Sequence, residues 1–168
     1  MAPLVKGRLE DYLFIMPLAR THLRIELIIF GCCILVACFL RRKDGIGPTE
    51  AKLFLSSYLF SSLFLSPDLD LARSRASRRW GIGRVLWWPY SHFFRHRRLS
   101  HHLMWGPLTR ILYFGGILFT LAWGMTALMG RSFSWPALPW SVLGAILCGF
   151  YLPNQIHILV DWIWSMRR

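Results

Sequence analysis

Several common signatures of catalysis are missing from this sequence. It has no Gly-rich phosphate loop, no Gly-x-Ser-x-Gly and no His-Glu-x-x-His, which removes the usual routes to nucleotide binding, serine hydrolysis and helical zinc-protease chemistry. Four cysteines occur without a Cys-x-x-Cys pair. Cys32, Cys33, Cys38 and Cys148 all fall inside apolar runs and read as small packing residues, not as disulfides or a zinc knuckle. No repeat or low-complexity segment is found. The first apolar run begins more than twenty residues in, without a small-residue cleavage pattern before Arg41-Arg42-Lys43, so no signal peptide is expected to be removed and the first helix is expected to be retained.

Charge is absent or nearly absent from four stretches, about 23–40, 48–65, 111–130 and 140–164. With 55% hydrophobic residues and a mean hydropathy of +0.41, the chain holds more apolar side chains than a globular core of this length needs. At about 1.5 Å per residue, runs of this length cross a hydrocarbon layer of roughly 30 Å. The fold expected is all-α: a single polytopic membrane domain over residues 1–168, with about four transmembrane helices and an amphipathic cytoplasmic loop, 67–110, between the second and third. Arg24, Glu26 and Lys52 lie where long side chains can reach the headgroups. Trp87, Trp88, Trp105, Trp135, Trp140, Trp162 and Trp164 cluster near the expected ends, as at a membrane interface.

Four crossings place both termini and the long loop on one side. That side carries fifteen of the twenty Lys and Arg residues, so the positive-inside rule makes it cytoplasmic. This distribution accounts for the net charge of +12 without a nucleic acid partner. The stretch from Arg78 to Arg98, with Trp87-Trp88-Pro89-Tyr90 and Phe93-Phe94, reads as an interfacial segment on a bilayer with anionic headgroups.

The same topology gathers the ionisable residues. His22 and Glu26 begin the first helix, Asp68 and Asp70 follow the second, His92, His96, His101 and His102 precede the third, and His157 and Asp161 end the fourth. Each piece alone has a plain explanation: Ser66-Pro67-Asp68 suits a helix start, and His157 with Asp161 at i and i+4 suits a hydrogen bond. Four segments delivering imidazole and carboxylate to one depth suit a divalent ion with mixed nitrogen and oxygen ligands, with Zn, Mn or Fe all admissible. In a membrane helix, Asn154, Gln155, His157 and Asp161 together mark a functional polar site.

Arg20-Thr21-His22, Ser66-Pro67-Asp68-Leu69-Asp70-Leu71, Arg79-Trp80-Gly81, Leu86-Trp87-Trp88-Pro89-Tyr90, His96-Arg97, Ser100-His101, Gly106-Pro107 and His157 with Asp161 resemble, in order and spacing, a family of predicted membrane metal-binding proteins, the domain of unknown function 2227. The resemblance runs over about residues 18 to 165. More distantly, the chain is similar to the LexA-regulated, membrane-bound metal-dependent hydrolases, which share a Pro-Asp-x-Asp, a His-Arg followed by Ser-His, and a late His and Asp. The resemblance implies metal binding by His22, Asp68, Asp70, His96, His101, His157 and Asp161, and a bacterial inner (plasma) membrane location.

Two functions follow as expectations. One is a metal-dependent hydrolase of a phosphorylated or lipid substrate, with Asp68 or Asp161 as base and Arg97 and Arg98 holding the anion. The other is a non-catalytic metal-binding membrane protein, such as a sensor, store or assembly factor. Transport is disfavoured because the polar residues stop at one face. A metal-free phosphohistidine mechanism is disfavoured because the Pro-Ser-Gly-His of such lipid phosphatases is absent.

Overall fold

The computed structural model describes residues 19–70, 74–93, 103–134 and 137–166, and the backbone alone at 19, 68, 70 and 75. Every regular element among them is helical: α1 (Ala19–Arg42), α2 (Pro48–Phe64), a 3-10 turn (Pro67–Asp70), α3 (Arg75–Arg79), a 3-10 segment (Gly81–Trp87), α4 (Trp88–Phe93), α5 (Trp105–Leu128) and α6 (Trp140–Ser165).

The helix limits follow from local chemistry. After α1 the chain turns within five residues, with Gly45 N–H on the Leu40 carbonyl at 2.8 Å and Asp44 at φ 53°. Gly47 then caps α2 and Pro48 occupies its first turn, where a missing N–H costs nothing. Gly130, at φ 66°, closes α5: Arg131 N–H reaches back to the Thr126 carbonyl at 2.9 Å, a bond that requires a left-handed residue between them. Ser74 caps α3 by accepting from Ser77 N–H at 3.0 Å, as serine does at a helix start.

α1, α5 and α6 are long and apolar enough to cross a membrane. The second expected span is present as α2, but its 17 residues extend only about 25 Å. α2 is instead the most enclosed helix, and its contact with α6 is the most extensive between any two helices. The two run parallel. Gly149 makes the approach close: a Cβ there would stand 2.4 Å from the Phe54 carbonyl oxygen and 2.8 Å from Ser57 Cβ, so only hydrogen fits. Polar groups fasten the same seam. Ser61 Oγ donates to the Phe150 carbonyl at 2.7 Å, Asn154 Nδ2 donates to Ser61 Oγ at 2.9 Å, and Arg110 donates to Asn154 Oδ1 and to the Leu65 carbonyl. Small residues let helix backbones approach closely and polar side chains hydrogen-bond across the gap.

The segment expected to be a polar interfacial loop differs in two respects. Trp87 is buried and not exposed as expected. It is 2% exposed and packs with Leu65, Leu69, Ala76 and Tyr90, inside a ring that includes Phe60, Trp80, Tyr113 and Phe114. Trp88, the next residue, is exposed. Arg110, counted with the loop, is buried in α5, because that helix begins at Trp105 and not near Ile111. Gly106-Pro107 is compatible with a first helical turn, so the charged Arg110 did not mark the boundary.

Candidate metal centre

His22 and Glu26 stand four residues apart at the start of α1, and His157 and Asp161 four apart near the end of α6. Residues so spaced share a helix face. Each helix therefore presents one imidazole and one carboxylate to the other, and the antiparallel crossing pairs them reciprocally. His22 Nε2 lies 3.1 Å from Asp161 Oδ1, and His157 Nδ1 lies 3.0 Å from Glu26 Oε1. The rings stack, with centroids 4.0 Å apart and planes inclined by 15°. Tyr58 of α2 steadies α1 here by donating to the Glu26 carbonyl at 2.9 Å.

The arrangement assigns roles to the nitrogens. Glu26 accepts from His157 Nδ1–H, which puts the lone pair on Nε2, 3.9 Å from Asp161 Oδ2. A carboxylate behind a ligating histidine fixes tautomer and ring orientation in this manner. His22 also turns Nε2 toward Asp161, but its Nδ1 is buried with no hydrogen-bond partner. His22, Glu26 and His157 are buried, whereas the Asp161 side chain is 23% exposed and marks the open side.

Charge decides what such a cluster accommodates. With both rings neutral, Glu26 and Asp161 bring two negative charges into a nearly closed site, where unbalanced charge is costly. Protonating both rings would balance them only by stacking two cations at 4.0 Å, against like-charge repulsion. A divalent ion balances the charge without that conflict. One ligand atom from each of His22, His157 and Asp161 falls within 4.8 Å of the others, so an inward shift of the side chains would bring all three to metal–ligand bonds of about 2.0–2.2 Å on one ion. The donor set, two imidazoles and a carboxylate, fits a borderline metal.

Three of the seven expected ligands, His22, His157 and Asp161, thus come together. The backbone of Asp68 and Asp70 lies in the Pro67–Asp70 turn, which touches α6; their side chains fall outside the described residues, as do His96, His101, Arg97 and Arg98. His92 is exposed on α4, stacked against Trp88 at 5.9 Å, and takes no part. Glu26 was noted in the sequence near His22 but not among the ligating or catalytic residues. The signal was available: His22-x-x-x-Glu26 repeats the spacing of His157-x-x-x-Asp161.

Residues 17–168 match the model of a family described as uncharacterized metal-binding protein (DUF2227). A protein of Aquifex aeolicus (strain VF5), itself described as uncharacterized, is 45% identical over 56 residues, which cover 33% of this chain and 40% of that protein. No solved structure matches the chain significantly. A match over nearly the whole length, together with a His22–His157–Asp161 cluster able to hold a metal ion, identifies the chain as a member of the DUF2227 family of metal-binding proteins.

Proposed function

We propose that this chain is a membrane-embedded metal-binding protein that holds a divalent ion (Zn, Mn or Fe) through His22, His157 and Asp161 at the cytoplasmic face, with Glu26 fixing the His157 ring. The observation that carries the reading is the convergence of two imidazole Nε2 atoms on one carboxylate, backed by a second, buried carboxylate. Asp68, Asp70, His96 and His101 are proposed as further ligands. In support, the Pro67–Asp70 turn touches α6, and the Leu103 carbonyl, at the entry to α5, accepts from Gln155 Nε2, two residues before His157.

The membrane part of the reading has four crossings, α2 being carried among the longer helices by its contact with α6. Both termini and the 67–110 segment face the cytoplasm of a bacterial inner membrane, beside anionic headgroups. The lengths and apolar character of α1, α5 and α6 and the asymmetry of Lys and Arg support it. Single cysteines near Arg42 and Arg131 should label from one side and one near Arg84 from the other; labelling of Arg84 and Arg131 positions from the same side would rule the topology out.

Hydrolysis of a phosphorylated or lipid substrate is a second reading, favoured by the partial exposure of Asp161, where a bound ion would meet the surface. The ion would supply Lewis acidity there. Asp161 is engaged with both rings, so Asp68 is the better candidate for a base, and Arg97 and Arg98 would hold the anionic group. A sensor, store or assembly role needs the same ligands without turnover.

Metal analysis of protein purified from native expression tests the core of the reading. We expect at least one transition ion per chain, lost in His157→Ala and Asp161→Ala while membrane insertion persists. Negligible metal in the wild type would overturn it. Hydrolysis of a phospholipid or phosphate ester that disappears with the metal would select the enzyme over the non-catalytic alternative.

A further inference from the structure

A second site lies away from the metal cluster. The Pro67–Asp70 turn, α3 and the 81–93 segment border an open cavity of about 460 Å³ whose lining includes Ser77, Arg84, Trp87, Trp88 and Ser91, with Leu69 and Val85 as its aliphatic part. Among the described residues no carboxylate lines it. Arg84 makes no hydrogen bond or ion pair among the described residues, and the indole N–H of Trp87 is buried without an acceptor. An unmatched buried donor is uncommon in a folded chain and costly to leave unmet. Among the described residues the cavity therefore pairs an exposed cation, Arg84, with a buried donor that lacks an acceptor, over an aromatic and aliphatic floor.

Its surroundings say which anion fits. The segment around it exposes Ile82 (93%), Phe93 (78%) and Trp88 (69%), with Val85 and Leu86 also exposed. It is fastened to the first turns of α5: Tyr90 OH hydrogen-bonds with Thr109 Oγ1 at 3.1 Å, and Tyr113 OH donates to the Leu86 carbonyl. Those turns carry the exposed Leu108 and Leu112, so the apolar fringe of the cavity continues onto the outward face of a helix long enough to span a membrane. Arg78 and Arg79 are exposed beside it. Basic and aromatic groups over an apolar fringe suit a ligand with an anionic head and acyl chains.

We propose that this cavity binds the phosphate of an anionic phospholipid, with Arg84 as the principal contact, Trp87 N–H as a second donor and acyl chains lying over Ile82, Val85 and Trp88. The proposal rests on the membrane reading above and not on the metal. The full chain, purified in detergent and exposed in turn to phosphatidylglycerol, phosphatidylcholine and inorganic phosphate, tests it through the lipid retained per chain. About one phosphatidylglycerol should be retained, phosphatidylcholine should wash away, and inorganic phosphate should not displace the lipid. Arg84→Gln should lower retention about tenfold, the scale of one lost hydrogen bond to a charged group. Trp87→Phe, which keeps the ring but removes the donor, should lower it less, and Arg78→Gln should leave it nearly unchanged. Equal retention of both lipids, displacement by phosphate, or equal losses from Arg84→Gln and Arg78→Gln would each overturn the site. Metal content measured on the same samples should not move, so failure here stays separate from failure of the metal reading.

Discussion

The two histidine-bearing turns repeat one spacing yet end up in unlike surroundings. On α6, His157 has both nitrogens engaged, Nδ1 by Glu26 and Nε2 toward Asp161. On α1, His22 has Nε2 engaged and Nδ1 buried without a partner. If an ion takes Nε2 of both rings, the proton of His157 rests on an acceptor, whereas that of His22 is held at a cost of about 1–3 kcal/mol. Repetition of a pattern therefore does not give equal ligands. The atoms behind each ring rank them, with His157 the stronger.

Substitutions sharpen or break that ranking. His157→Ala removes the stronger ligand and also strands a buried carboxylate, so metal content should fall to background, measured by elemental analysis of the purified chain. His22→Ala should lower metal affinity by a smaller factor in a competition titration with a chelator; a loss equal to or above that of His157→Ala would reverse the assignment. Glu26→Gln keeps the shape but weakens the hold on Nδ1, and affinity should drop roughly 10–100-fold. A change of that size in affinity with no change in thermal stability would separate a role through His157 from simple packing. His92→Ala, stacked on exposed Trp88 and distant in role, should leave metal content as it was.

Much of the architecture was legible because the chain announces it. Apart from the start of α5, Gly47-Pro48, Gly130 and the uncharged runs set helix limits close to those expected, and the antiparallel order of α1 and α6 follows from helix count alone. His22, His157 and Asp161 could be brought together on that basis. Other features were hidden by ambiguity of residue type. A tryptophan near a helix end looks the same whether its ring is buried or exposed, and the adjacent Trp87 and Trp88 differ in this, the first buried and the second exposed. Arg110 looked like loop because charge usually marks the edge of an apolar run, but here Asn154 and the Leu65 carbonyl satisfy it inside the bundle. Glu26 was overlooked as a site residue because a carboxylate near a helix start already has an explanation in snorkelling, and only the partner helix reveals its target.

The seam between α2 and α6 also has a consequence for the order in which the chain is made. The bonds that fasten it join residues 89 to 93 positions apart, so α2 leaves the ribosome long before its principal partner exists. Until Gly149 and Asn154 emerge, Ser57, Ser61 and the Phe54 carbonyl have no α6 surface to meet. Contacts of such separation form late, and α2 is too short to be secured by length alone. α6, synthesised after α1, α2 and α5, is thus the helix that locks α2 into place, and the same event brings His157 to Glu26. Chains stalled after α5 should accordingly leave α2 open to protease or thiol labelling, while chains released with α6 complete should protect it.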